Sequence, residues 1–335
     1  MLNSADFKKI SKWMYRNARP LELAKFQYHF EGGKKEPVLD MISMYQNPDG
    51  GFGNALEADN WNPNSSPYTT MYACDFLEDL EFEDKEHPIT KGILAFLENT
   101  EHFADGKWLA VIPTNNEYPR AMWWTDTDGA QNLFGYTPAA KLAGFALRFA
   151  SKGSPVYDKA FQVAKEAVDV YLNGINEDNT PYRSVQREAE INNLYYLSTS
   201  IRKAGLSTSF DLSSLEKAMI DQGMQFIERD KAKWGSYSYK PSVLLKRPDS
   251  IFYEGNESII IEELGYLAEN RNQDGMWDIT WQWYYDIPGK PQTNGTYAGE
   301  FAIAANWWKA EKAIEHLLLF QAFDMLDMPQ AIREV

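Results

Sequence analysis

The sequence predicts an all-α fold, and three observations carry that expectation. Apolar residues recur at helical spacing along most of the chain, prolines stand at the starts of those runs, and no set of alternating strands appears. Within 88–99, Ile89, Ile93, Phe96 and Leu97 fall at i, i+4, i+7 and i+8, and Leu142, Phe145, Ala146 and Phe149 share one helical face in 138–150. Pro20, Pro37, Pro67, Pro88, Pro138 and Pro155 mark helix starts, where the first N–H has no partner anyway. Ser66, Thr137 and Ser154 stand at the N-cap position before three of them.

Taken in order, the pattern predicts helices over 4–16, 20–31, 35–46, 67–79, 89–99, 138–151, 155–173, 185–204, 212–229, 241–246, 255–270 and 297–325. These are twelve helices, or six pairs, the tenth being the shortest; the irregular stretch 106–124 has room for a short hairpin. With 335 residues and 44% hydrophobic content, one large domain over 1–335 is expected.

Composition narrows the function classes. A net charge of -15 argues against a general affinity for nucleic acid or anionic lipid. One cysteine, Cys74, forms no internal disulfide, and four scattered histidines supply too few soft ligands for a structural zinc cluster. The first twenty residues alternate charge with apolar side chains, and no apolar run approaches the roughly 18 residues of a membrane span. A soluble cytoplasmic protein is the expectation.

One turn recurs. In YQNPDGGF (45–52), KGILAFLENTEHFADGKW (91–108) and ELGYLAENRNQDGMW (263–277), a helix is followed by a long polar residue (Gln46, Glu101, Arg271) and an Asp-Gly step. One residue later stands an aromatic: Phe52, Trp108 or Trp277. Degenerate copies fall at 169–182 and 224–234. Each glycine is expected in the left-handed region of a tight turn, with the polar residue and the aromatic clamping an outer to an inner helix.

The second copy resembles the QW repeat of terpenoid cyclases and protein prenyltransferases: Lys91 and Gly92, then Phe96 and Leu97, then Gly106, Lys107 and Trp108, with Glu101 at the glutamine position. The resemblance implies an α/α toroid of six helical hairpins, with inner and outer helix rings around a central cavity. With odd-numbered helices outside, the outer-to-inner loops 47–66, 100–137 and 271–296 are long and the return loops short, so long loops gather on one face, where function is expected. With Trp234 of the outer-to-inner loop 230–240, eight of the eleven tryptophans lie in such loops, too many to assign to core filling alone. Trp61, Trp123, Trp124, Trp281 and Trp283, with Glu57, Asp59 and Asp286, are therefore the candidate substrate-binding residues.

For chemistry, the resemblance implies a metal-free cyclisation begun by a protonated aspartic acid. Asp126-Thr127-Asp128-Gly129 is the nearest match to the family's Asp-x-Asp-Asp, placing Asp128 at the proton donor and Asp126 beside it as candidate catalytic residues. Gly129 stands where the family has its last Asp. Asp75-Phe76-Leu77-Glu78-Asp79 departs from the magnesium pattern Asp-Asp-x-x-Asp and reads as a solvated acidic helix end; Cys74-Asp75 has the wrong order for a prenyltransferase zinc site. No cofactor or metal is expected. The functional expectation is an apolar, isoprenoid-like ligand in an aromatic and acidic cavity. The alternatives are a carbohydrate-active enzyme using rim carboxylates and tryptophan platforms, or a non-catalytic binding or scaffold protein.

Overall fold

The computed structural model describes residues 1–174, 187–284 and 296–329. Among these, eleven α-helices carry the fold: α1 Ser4–Asn17, α2 Pro20–Phe30, α3 Lys35–Ser43, α4 Pro67–Asp79, α5 Pro88–Asn99, α6 Ala139–Phe149, α7 Pro155–Asn173, α8 Arg187–Lys203, α9 Leu212–Phe226, α10 Glu257–Glu269 and α11 Ala298–Ala322. The all-α expectation holds. Pro20, Pro67, Pro88 and Pro155 open their helices, and the hydroxyls of Ser66 and Ser154 accept the Thr69 and Tyr157 N–H groups as caps.

Three local expectations are corrected. The stretch 241–246 makes only the short 3-10 turn Pro241–Val243; Pro248 follows too closely for a nucleated α-helix to propagate. The hairpin forms earlier than 106–124, pairing β1 Phe103–Ala104 with β2 Lys107–Trp108. Asp105 and Gly106 take φ of 49° and 74°, the doubly left-handed turn that matches strand twist. Thr137 caps nothing: α6 begins at Ala139, and the Thr137 hydroxyl accepts from Asn193 Nδ2 at 3.1 Å.

Contacts group the chain into two compact units, Tyr45–Gly223 and a discontinuous one made of Met1–Met44 with Met224–Val335. Within Tyr45–Gly223, α4, α6 and α8 lie side by side in one layer, and α5 packs on α7 in a second layer against α6 and α8. Buried positions run unbroken through Ala139–Leu147 of α6, as a helix covered on all sides requires. In the other unit α11 packs on α1 and α2, α2 on α3, and Leu2 bridges Leu326, so the first and last helices share a core around Phe7, Phe26 and Phe30.

The recurrent turns do more than join consecutive helices. Gln46 Nε2 donates to the carbonyls of Gly50 (2.9 Å) and Ile89 (3.2 Å), so the first turn rests on α5. A Cβ on Gly50 would lie 2.1 Å from the Gly92 carbonyl oxygen, and one on Gly92 would lie 2.3 Å from Gln46 Nε2. At Gly50 φ is 87°, so backbone and contact both demand glycine. Phe52, fully buried, bonds the start of α4 through Thr70 Oγ1 and the Ser66 N–H. A Cβ on Gly106 would meet the Glu166 carboxylate of α7, one on Gly275 the Lys9 side chain of α1, and one on Gly235, just after the degenerate copy, the Tyr266 hydroxyl of α10, all side-chain rather than backbone neighbours. The indoles of Trp108, Trp234 and Trp277 donate to the carbonyls of Leu97, Glu228 and Leu267 (3.1, 2.7 and 2.9 Å), serving backbone oxygens left open at or just beyond a helix end.

Buried charge sits at the joints of the unit that holds both chain ends. Lys25 of α2 pairs with Glu311 of α11 at 2.7 Å, and Glu263 of α10 accepts the Ser242 N–H (2.6 Å) and hydroxyl (2.7 Å). Burial pushes Glu263 up to about 7 against those hydrogen bonds, and pushes Glu311 up to about 7 against Lys25.

Two outcomes follow. Gly92→Ala should displace the Gln46 amide and lower stability by about 1–3 kcal/mol in urea denaturation, whereas Gly265→Ala, a helical position with open space around it, should be neutral or slightly stabilising. From the ordinary 4.5 up to about 7 the folded chain keeps a proton on Glu263 that the unfolded chain has released, so stability should fall as pH rises through that window. Melting temperatures measured from pH 4.5 to 7.5 should fall less steeply in Glu263→Gln, with the Glu311 contribution remaining.

Candidate functional site

Two loops of the Tyr45–Gly223 unit hold most of the residues singled out by sequence. The first leaves the recurrent turn at Gly53 and winds through Asn54 and Ala55, with φ of 58° and 59°. Successive left-handed non-glycine residues are costly, so the surrounding bonds must hold them there. The loop is closed by Asn54 N–H on the Asn62 carbonyl (2.9 Å) and Leu56 N–H on the Gly53 carbonyl (3.1 Å). Its acids point inward: Glu57 and Asp59 are buried, and a Glu57 carboxylate oxygen accepts the Asp59 N–H at 3.0 Å.

The second loop, 113–126, is tied to the first by backbone and by carboxamides. Trp61 N–H donates to the Pro119 carbonyl and Ala121 N–H to the Asp59 carbonyl. Asn115, wholly buried, is the hub: its Oδ1 accepts from Asn60 (3.2 Å) and Asn62 (2.8 Å), while its Nδ2 donates to the Trp124 carbonyl (3.1 Å). Arg120 donates to the carbonyls of Asn115 and Tyr118. Such a network, with acceptors and donors matched in low dielectric, fixes the two loops as one body.

The tryptophans divide by exposure. Trp124 is buried, stacked on Phe134 at 5.4 Å and edge-on to Tyr68 at 4.3 Å. Trp61 and Trp123 stay partly exposed, Trp61 anchored through its indole N–H to the Ala58 carbonyl at 2.9 Å. Asp126 is partly exposed, its backbone exchanging hydrogen bonds with the Asn116 carboxamide, and Asp128 is exposed beside the left-handed Gly129. Protonation chemistry asks instead for a carboxyl enclosed by apolar walls. In the other unit, Trp281 meets Trp308 edge-on at 5.4 Å and Trp283 is buried near Phe301. Asp286 lies outside the described residues.

A second constellation was not read from the sequence. Lys141 of α6, 5% exposed, pairs with both Asp75 and Glu78 of α4, whose side chains are 39% and 46% exposed. The ammonium lies 4.4 Å from the centre of the Tyr196 ring on α8. Burial alone would pull Lys141 down; the two carboxylates outweigh it and hold the ammonium above the ordinary lysine range. Arg148, two helical turns further, bonds Tyr196 Oη at 3.3 Å and pairs with Glu83, which also takes Lys203. The acidic stretch expected to be a solvated helix end is thus tied through its first acids to a buried lysine. The signal was present: Lys141 and Arg148 share one face of an otherwise apolar helix, and a buried cation needs a partner.

Among the described residues, no group of three or more His, Cys, Asp and Glu side chains is arranged to hold a metal ion, and no helix is long and apolar enough to cross a membrane. Comparison of the chain with protein-family models, characterised proteins and solved structures gives no match.

Lys141→Met should cost about 3 kcal/mol in denaturant titration, the low end of the range for breaking a buried ion pair because both carboxylates reach water.

Proposed function

We propose that this chain is an α/α-toroid protein of the helical-hairpin kind whose long-loop face binds a polyhydroxylated, glycan-like ligand. The packing of alternate helices supports the toroid reading, because α4, α6 and α8 form one layer and α5 and α7 another. So does the direction of the recurrent turns: the one after α3 rests on α5, that after α5 on α7, that after α9 on α10 and that after α10 on α1. In these four cases a hairpin hands its contact to another, as a succession of hairpins in a toroid would.

The ligand class rests on one observation: Trp61 and Trp123 remain partly exposed on a rigid, polar loop pair while the neighbouring Trp108 and Trp124 are buried. An indole face offered beside carboxylates and carboxamides suits a sugar ring, which stacks through its C–H face and bonds through its hydroxyls. An isoprenoid needs an enclosed apolar wall, and the indoles that could furnish one here are spent on packing. Asp126 and Asp128 follow Trp123 directly in the chain, and they are the carboxylates available to a bound sugar, whether for binding or for acid–base chemistry of the glycosidase or lyase type.

A thermal-shift screen of oligosaccharides and isoprenoid diphosphates tests this reading, since a ligand at a hundred times its Kd adds about 2.7 kcal/mol of stability. The expected result is an oligosaccharide that raises the melting temperature of the wild type, with the shift lost in Trp123→Ala although the unliganded protein melts within a few degrees of wild type. Stabilisation by an isoprenoid diphosphate and by no oligosaccharide would overturn it.

A further inference from the structure

One helix of the Tyr45–Gly223 unit keeps a narrow accessible stripe. Every residue of α4 is buried except Tyr68, Tyr72, Asp75, Glu78 and Asp79. Tyr68, Tyr72, Asp75 and Asp79 fall at i, i+4, i+7 and i+11, so two phenol rings and then two acids share a single helical face. From Tyr68 to Asp75 that face runs about 10 Å along the axis. A merely solvated face would carry charge throughout, whereas the half of this one nearest the loop pair is aromatic.

The stripe begins at the loop pair. The Tyr68 ring lies edge-on to Trp124 at 4.3 Å, and Trp124 follows the partly exposed Trp123 directly in the chain. Trp124 Nε1 is buried without a hydrogen-bond acceptor among the described residues. A buried donor left open is costly, so an acceptor oxygen arriving at this junction would relieve it. One turn on, Tyr72 stands edge-on to Phe76 with ring centres 5.5 Å apart, which holds its ring while leaving it partly exposed. At the far end Lys141 holds Asp75 through Oδ1, and Oδ2 makes no hydrogen bond among the described residues. The Asp75 side chain stays 39% exposed, so that second oxygen can accept from a ligand hydroxyl.

We infer that the ligand is a linear oligosaccharide that runs from the indole-bearing loops along α4, its rings resting on Tyr68 and Tyr72 and a hydroxyl bonding Asp75. The inference rests on the glycan reading and deepens it: Trp61 and Trp123 would suffice for a single sugar, whereas the stripe serves only a chain of several rings. It carries the ligand past Asp126 and Asp128 to a third carboxylate. Phenol rings one helical turn apart offer successive platforms, and the pinned carboxylate offers an acceptor whose orientation Lys141 sets before binding.

Isothermal titration of the full chain with cello-, xylo-, manno- and malto-oligosaccharides, each as disaccharide and hexasaccharide, tests the inference. In the series that binds, the hexasaccharide should bind at least tenfold tighter than the disaccharide. Tyr72→Ala should abolish that gain, and so should Asp75→Asn, in which Glu78 still holds Lys141 and melting temperature checks the fold. Trp123→Ala should weaken both lengths. Binding that depends on Trp123 but not on chain length, or a length gain kept in both α4 variants, would overturn the inference and leave the loop reading standing. No binding in any series would overturn both.

Discussion

The contact on which the rest of the structure depends is the close approach of a left-handed turn to the helix that follows next but one, as the turn after α3 meets α5 and the turn after α5 meets α7. At Gly50 the approach is so close that any side chain would collide with the Gly92 backbone. That proximity lets Gln46 reach the carbonyls of two segments at once and lets Phe52 seat the start of α4. Remove the glycine and the helices must part, because backbone atoms on the far side cannot yield as a flexible side chain can. The same turn therefore sets interhelix distance, closes a helix terminus and launches a long loop in a defined direction.

Charge inside the helical layers follows a second rule. Lys141 between Asp75 and Glu78, and Lys25 against Glu311, each lie where two helices meet. Desolvation makes such pairs poor sources of net stability, but it also makes any other register costly, since sliding a helix would leave a charge buried alone. The pairs thus select how the helices align, while the aromatic and aliphatic contacts supply the favourable burial. At Asn54 and Ala55 two successive left-handed residues store strain, and the buried carboxamide network around Asn115 helps hold the loop pair against it.

Helices were legible because their apolar periodicity, prolines and caps all agree; even their ends fall within about three residues of expectation, the usual uncertainty of a helix terminus. The Asp-Gly turns were legible because only glycine tolerates that conformation so readily. The site was half legible. Glu57, Asp59, Trp61 and Trp124 could be assigned to related loops by their loop position, but their exposure could not, since burial of a loop residue depends on what another loop lays over it. Asn115 went unnoticed because a carboxamide hub has no spacing rule, and Lys141 because the acids that hold it lie more than sixty residues away in sequence.

What the sequence determined by itself is local: the helices, their punctuation and the recurrence of one turn, all fixed by backbone sterics and by periodicity within a few residues. What only tertiary structure decided is which recurrent polar residues act as clamps and which tryptophans face water. Gln46 and Glu101 occupy the same place in the repeat, yet one bridges helices and the other stands free in a cleft. The reason is that hydrogen-bond partnership and burial are properties of the surroundings, and those surroundings come from segments far apart along the chain.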